Sequence, residues 1–337
     1  MTTGKNSRTG RALGLGLTLA LAIGCASAAY CDPAAPPAAA PNCALGLAAA
    51  LPMTTEPNGT VAVPVKLADH DLLFEIDTGS IFSSIKYQSA WFLRLKQFPI
   101  ESAKFSFIAN VKVTNYTILP DFSLGQLHIA SRPFLLDPNA LLSPDSDGLL
   151  GPDILSNFDV DLDFAGGTLK LISPDHCPGQ VVYWTKGGYS QIPMQVDGFR
   201  QISVPVDLDG KSVTAILDTG SYRSIMSAGM AKSVFGIDDK NPAAKSLGSL
   251  AINGTGGLAA FRYPFSKLTF GGVTVNNPDL MVLPDEAVGG ANSPLLVGIS
   301  ILRQLHLYIA YKEQTLYVTP AQPDEPHAPS SGRAGAL

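Results

Sequence analysis

Apolar and polar positions alternate with a period of two through most of the central chain, and one succession of such runs occurs twice. Val61-Ala62-Val63-Pro64-Val65-Lys66-Leu67 alternates as a half-buried strand does. A short polar turn follows, then the apolar run Leu72-Leu73-Phe74-Glu75-Ile76. Ile202-Ser203-Val204-Pro205-Val206-Asp207-Leu208, the turn Asp209-Gly210-Lys211 and the run Val213-Thr214-Ala215-Ile216-Leu217 repeat that order. Farther along, Phe122 to Ile129 matches Leu268 to Val275, each reading as a hairpin with glycine at its turn. Next, Leu149-Leu150-Gly151 and Leu296-Val297-Gly298 each read as an apolar strand stopped by glycine, with a short helical pattern after it. Each copy ends on a further hairpin, from Phe158 to Leu171 with Gly166-Gly167 at its tip, and from Leu305 to Val318. The pattern predicts a mainly β protein built from a tandem repeat, with a short helix in each copy.

Both apolar runs lead into the same tetrapeptide, Asp77-Thr78-Gly79-Ser80 in the first copy and Asp218-Thr219-Gly220-Ser221 in the second. Asp77 precedes Gly151 by 74 positions and Asp218 precedes Gly298 by 80, a difference that loop variation absorbs. A duplicated strand-to-turn element that ends in aspartate points to two carboxylates brought together. Such a pair cannot ionise fully, so one member keeps a proton while the other is a base, an arrangement suited to activating water.

These tetrapeptides, each followed by an apolar-apolar-glycine element, resemble the retropepsin-like and pepsin-like aspartic proteases. Two such units in one exported chain of bacterial type are similar to a single-chain, pepsin-like arrangement of two retropepsin-like halves, over about residues 58–319. The resemblance implies a two-lobed, acid-protease-like β-barrel fold with the active site at the lobe junction. It implies Asp77 and Asp218 as the catalytic dyad and a polypeptide as substrate. It also implies that Thr78 and Thr219 cross-bond near a pseudo-two-fold axis and that Gly79 and Gly220 let backbone amides approach the carboxylates. Ser80 and Ser221 stand where pepsin-like enzymes carry a serine bonded to the outer carboxylate oxygen, which leans activity towards acid pH. A flap is expected in each half. Asn253-Gly254-Thr255-Gly256-Gly257 supplies a glycine-rich tip in the second, whereas Phe105 to Leu119 in the first has no glycine and holds Tyr116, read as a strand-edge tyrosine. Ile81, Phe82, Tyr222 and Ile225 are candidate subsite walls.

The ends of the chain divide it further. Lys5, Arg8 and Arg11, the apolar run Ala12 to Gly24, and Ala26-Ser27-Ala28 read as a signal peptide over residues 1–28. Leu21 to Cys25 loosely resembles a lipobox, which leaves a lipid anchor at Cys25 as the alternative to cleavage. Residues 29–57, rich in Ala and Pro at their start, read as a linker or short propeptide. An N-terminal lobe (58–175), an inter-lobe connection (176–190), a C-terminal lobe (191–319) and a disordered tail (320–337) complete the expected organisation. Export to the periplasm or medium permits disulfides, with Cys31 or Cys43 as the partner of Cys177.

Composition narrows the function. A net charge of −5 gives no basic footprint for nucleic acid, and no internal apolar stretch is long enough to span a bilayer. His70, His128, His176, His306 and His327 lack metal-ligand spacing, so neither metal nor cofactor is expected. The reading is an aspartic endopeptidase acting as a monomer with internal pseudo-two-fold symmetry. Two alternatives stand beside it: a non-catalytic peptide-binding module on the same fold, and a protease whose lobes pair between chains.

Overall fold

The computed structural model describes residues 43–100, 113–138, 142–250, 257–288 and 290–321. The signal sequence with Cys25, residues 29–42 with Cys31, and the tail beyond Ala321 lie outside them. Among the described residues the chain forms three sheets, two of ten strands and one of six. The two larger sheets have the same strand order. In the first it runs Gln97–Pro99, Asn115–Leu119, Arg132–Asp137, Ser84–Lys86, Gly148–Leu150, His70–Ile76, Val61–Leu67, Phe122–Leu124, Leu127–Ile129, with Thr54–Thr55 added on Val61–Leu67. In the second it runs Lys245–Leu250, Leu258–Arg262, Leu280–Leu283, Ser224–Ser227, Leu295–Val297, Lys211–Leu217, Ile202–Leu208, Lys267–Phe270, Val273–Asn276, with Gln195–Val196 on Ile202–Leu208. The expected β-barrels are therefore two open sheets, since among the described residues neither path closes on itself.

Alternation explains the hairpin that starts each copy. Val61, Val63, Val65 and Leu67 are buried while Pro64 and Lys66 are exposed, and Val204, Val206 and Leu208 repeat this in the second copy. Proline at the exposed positions 64 and 205 lacks an amide hydrogen, and each faces its hairpin partner, Leu73 or Thr214. Each copy carries two short helices rather than one, Tyr87–Phe92 and Pro152–Leu155 in the first, Ala228–Phe235 and Ile299–Leu302 in the second. The additional helices follow Ser84–Lys86 and Ser224–Ser227. The second of them is capped by Ser227, whose Oγ accepts from the Met230 amide at 3.0 Å, and it ends at Gly236 in the left-handed region.

The six-stranded sheet belongs to both copies. Its order is Leu47–Pro52, Thr168–Ile172, Asp159–Asp163, Leu305–Ala310, Thr315–Pro320, Ser190–Pro193. The closing hairpin of each copy pairs with the other through Asp159–Asp163 and Leu305–Ala310, antiparallel, with Val160 opposite Ile309. Each hairpin is flanked outside by a strand from the start of its own copy. Part of the expected linker over residues 29–57 is thus strand. Leu47–Pro52 pairs with Thr168–Ile172 and buries Ala49 and Leu51, so the first copy begins well before Asn58. The repeat was visible there too: Leu51-Pro52-Met53 and Ile192-Pro193-Met194 each stand with proline 25 positions before the dyad aspartate. Pro320, placed in the tail by the sequence, is the last residue of its strand.

Asp159, Asp161 and Asp163 lie on the face opposite Val160 and Leu162, where alternation alone would put them in water. Asp159 and Asp161 are instead fully buried under residues 173–189. His176 Nε2 meets Asp159 at 2.5 Å, His306 Nε2 meets Asp161 at 2.6 Å, and the hydroxyls of Tyr308 and Tyr183 donate to the same two carboxylates. Trp184 stacks on His306 with ring centroids 4.5 Å apart. Burial without these partners would cost several kcal/mol per charge, so the covering segment is specified by them. A disulfide between Cys43 and Cys177, separated by 134 positions, ties its start to the beginning of the described chain.

Because that crosslink closes a long loop, the Cys43→Ser, Cys177→Ser protein should be less stable by about 2–4 kcal/mol. The denaturant midpoint of the double variant, compared with that of the oxidised parent, measures this. An unchanged midpoint would mean that the covering segment is held without the disulfide.

Candidate active site

Each dyad aspartate extends its strand by one residue. The Asp77 amide donates to Leu150 O at 3.1 Å and the Asp218 amide donates to Val297 O at 3.0 Å, continuing the parallel pairing with Gly148–Leu150 and Leu295–Val297. The backbone then turns through Thr-Gly-Ser. Asp77 Oδ1 accepts from the amides of Gly79 at 2.9 Å and Ser80 at 2.8 Å, and Asp218 Oδ1 accepts from Gly220 at 2.9 Å. These bonds fix each carboxylate before any ligand arrives.

The two turns meet back to back. The Thr78 amide donates to Thr219 Oγ1 at 3.1 Å, and the Thr219 amide donates to Thr78 Oγ1 at 3.2 Å. Each hydroxyl then donates across to the strand before the other turn, Thr78 to Leu217 O and Thr219 to Ile76 O, both at 2.6 Å. All four groups are buried, so the lobes are joined by a closed ring of satisfied donors and acceptors. Gly79 lies against the Asp218 side chain and Gly220 against that of Asp77, so closely that an added Cβ at either would collide with the opposite carboxylate. One chain thus brings the Asp77 and Asp218 carboxyls together, each packed against the glycine of the opposite turn.

Contact between two acids, Asp218 buried and Asp77 half-buried, has an electrostatic cost. Burial pushes the Asp77 carboxyl well above the ordinary carboxylate range, and the neighbouring Asp218 adds to it; burial likewise raises Asp218. The backbone amides pull the other way without overcoming it. The pair therefore holds a proton at pH values where exposed carboxyls have lost theirs.

The serines behave differently from the resemblance. Ser80 Oγ donates to the Asp77 backbone carbonyl at 3.2 Å and Ser221 Oγ donates to Arg223 O at 2.9 Å. Their amides serve the carboxylates; their hydroxyls do not. The acid-lowering contribution expected of the hydroxyls is therefore absent among the described residues, and burial is left to raise the pair. A second pair of serines was missed. Ser83 Oγ accepts from the Gly151 amide at 2.9 Å and donates to Asp153 Oδ1 at 2.7 Å, and Ser224 Oγ accepts from the Gly298 amide at 2.9 Å. They fasten each turn to the glycine element beside it. Their signal is in the sequence, a serine six positions after each dyad aspartate.

The candidate wall residues divide. Ile225 stands in Ser224–Ser227 and packs beside Ala260, Met281 and Leu283. Tyr222 instead lies against Gly59 of the first copy, with the Arg303 guanidinium 5.5 Å from its ring centre. Ile81 and Phe82 are half-buried next to the Ser80 turn. Opposite Tyr222 in the pseudo-symmetry, the Gln201 side-chain amide donates to Gly79 O and grips the first turn from the second copy. Most of the expected flap tips lie outside the described residues. Tyr116 is described, and it is no edge residue: Asn115–Leu119 is paired on both sides, and Tyr116 stacks on Phe98 with centroids 5.3 Å apart.

Comparison with known proteins agrees with this geometry. Residues 204–301 match the sequence profile of the family described as "Aspartyl protease". No curated protein sequence matches the chain. Among solved structures, the aspartic proteinase of Irpex lacteus is similar with a TM-score of 0.52 at 13% identity, over 82% of this chain and 97% of its own. Conglutin gamma, a basic 7S globulin of lupine seeds, is similar with a TM-score of 0.50 at 11% identity, over 82% and 95%. Soybean basic 7S globulin gives 0.48 at 10% identity, over 82% and 95%. At these identities the likeness establishes the two-lobed, pepsin-like fold.

Two outcomes follow for stability. Thr78→Ala or Thr219→Ala should each destabilise the chain by about 2–4 kcal/mol, because each strands a buried amide and a buried carbonyl at once; urea unfolding measures it. Both dyad carboxyls have native values above their unfolded ones. Their contribution to stability is therefore complete below the ordinary carboxylate range and is lost as pH rises through the raised values. Thermal melts from pH 4 to 8 should show Asp77→Asn gaining on the parent as pH rises. A difference that stays constant with pH would contradict the raised pair.

Proposed function

We propose that this chain, whose residues 204–301 match the aspartyl protease family model, is an aspartic endopeptidase that hydrolyses peptide bonds at the Asp77/Asp218 dyad. The observation that carries the reading is the pair itself: two adjacent carboxyls, Asp218 buried and Asp77 half-buried, each fixed by backbone amides, across a junction of cross-bonded threonines. Fold likeness alone does not separate catalysis from binding, because one similar structure is titled a proteinase and another a seed globulin. A pure binding module has no use for two apposed acids whose proximity raises the cost of burial.

In the proposed reaction a water lies between the carboxyls. The ionised member accepts its proton while the protonated member donates to the substrate carbonyl oxygen, and the hydroxyl oxygen bonds to the carbonyl carbon. The resulting diol-like intermediate breaks at its C–N bond once the nitrogen has received a proton. The dyad ends the cycle with one shared proton, as it began. The substrate is an extended polypeptide lying across the junction. Export to the periplasm or medium belongs to this proposal, and the Cys43–Cys177 disulfide fits such a compartment. Among the described residues no helix is long and apolar enough to cross a membrane.

Asp77→Asn and Asp218→Asn should each reduce peptide hydrolysis by about a thousandfold or more, and a pepstatin-like statine should inhibit the parent. Activity should persist in a metal chelator. Because neither serine hydroxyl supports the ionised dyad, the acidic limb of the kcat/KM profile should lie higher than that of an exposed carboxyl. A peptide library incubated from pH 3 to 8 tests all of this. Appreciable turnover in either single variant would defeat the one-dyad reading.

A further inference from the structure

The two sides of the dyad are built on the same frame and furnished differently. Strand alternation puts Glu75 on the face that Asp77 occupies and Ile216 on the face that Asp218 occupies. The sheet register extends both rows outward. Glu75 pairs with Leu149 and Leu149 with Ser84; Ile216 pairs with Leu296 and Leu296 with Ile225. The second row is wholly aliphatic. The first places a carboxylate and a hydroxyl on either side of its leucine.

Nothing in the fold requires that acid, since its counterpart is isoleucine in an equivalent strand. Glu75 is 2% exposed, and its carboxylate accepts from the Ser143 amide at 2.6 Å and from Thr60 Oγ1 at 2.8 Å. A second acid joins it. Glu56 occupies the turn position that Asp197 holds in the second copy. Asp197 is exposed and caps its own turn, bonding the amides of Phe199 and Gln201. In the first copy Asn58 bonds the Thr60 amide, and Glu56 is released inward, 4% exposed, against Ser146 Oγ. Among the described residues neither glutamate forms an ion pair. Lys86, which meets the same loop, donates to the carbonyls of Ser143 and Pro144 instead. Two further acceptors are spare among the described residues, where the buried hydroxyls of Ser84 and Ser143 have no hydrogen-bond partner. Burial raises Glu75, and the charge of Glu56 adds to it.

We infer that the first-copy side of the cleft is a subsite for a cationic side chain, lysine or arginine, read by Glu75 with Glu56 behind it, while the second-copy side takes an aliphatic one. The inference rests on the endopeptidase reading for its substrate. Its physical basis is separate: two buried, mutually repelling carboxylates with unused hydroxyl acceptors beside them are relieved by a cation that brings its own donors. A lysine ammonium supplies three donors on an apolar stem that suits Leu149. Glu75 is thereby a specificity-determining residue, and no step of the proton transfer passes through it.

The experiment uses two peptide series that differ only in lysine or norleucine at one position after another around a fixed leucine. The parent should cleave lysine peptides with kcat/KM at least about tenfold above their norleucine partners at one position only. Glu75→Gln and Glu75→Ile should reduce or reverse that ratio, and circular dichroism with a thermal melt checks that each variant folds. Binding of the same peptides to the Asp218→Asn chain, by calorimetry, reads the subsite without hydrolysis. Lysine preference in binding with no turnover in the parent would support the subsite and overturn the endopeptidase. Turnover with equal ratios in the parent and both Glu75 variants would overturn the subsite and leave the endopeptidase standing. Absence of both binding and turnover would overturn both.

Discussion

The ring of hydrogen bonds between Thr78 and Thr219 is the constraint on which the rest of the molecule depends. Each threonine carries one hydroxyl, and each hydroxyl is used twice, accepting an amide from the opposite turn and donating to a carbonyl of the opposite strand. Two side chains thus satisfy four buried backbone groups. The ring holds the Asp77 and Asp218 backbones at one separation, and that separation forces the carboxyls into contact. The raised dyad is a consequence of packing, and its chemistry follows from that.

The six-stranded sheet performs the same task on a larger scale. Two closing hairpins pair across the pseudo-two-fold axis, and each is flanked by the strand that begins its own copy. The covering segment over the outer face is held by Asp159–His176 and Asp161–His306, carboxylates whose burial is tolerable only with those partners. Two of the histidines that look scattered in the sequence are thus accounted for by buried acids. Gln201, reaching from the second copy to Gly79 O, adds a further tie at the first Asp-Thr-Gly-Ser turn.

Symmetry of frame and asymmetry of furnishing coexist because they have different physical origins. Strand order and register are fixed by backbone pairing and by the apolar face of each sheet, which tolerate many side chains on the cleft side. Glu75 against Ile216, Ser84 against Ile225, and Glu56 against Asp197 leave the ladder unchanged. A duplicated protein can therefore vary the two sides of its cleft independently while keeping one dyad.

The sequence by itself determined the mainly β class, the tandem repeat and the two aspartates, since period-two alternation and a repeated tetrapeptide are local and survive any tertiary context. It read residues 29–57 as a linker or short propeptide, and Leu47-Ala48-Ala49-Ala50 has weak strand propensity; only pairing with Thr168–Ile172 makes Leu47–Pro52 a strand. The family resemblance implied the Ser80 and Ser221 hydroxyls for the carboxylates, whereas nearby backbone carbonyls, invisible in a string of residues, take them. The burial of Asp159 and Asp161, the choice of Cys43 over Cys31 and the inward turn of Glu56 were likewise settled in three dimensions. Each depends on which distant segment arrives to cover a polar group, and that is decided by packing between elements far apart in the chain.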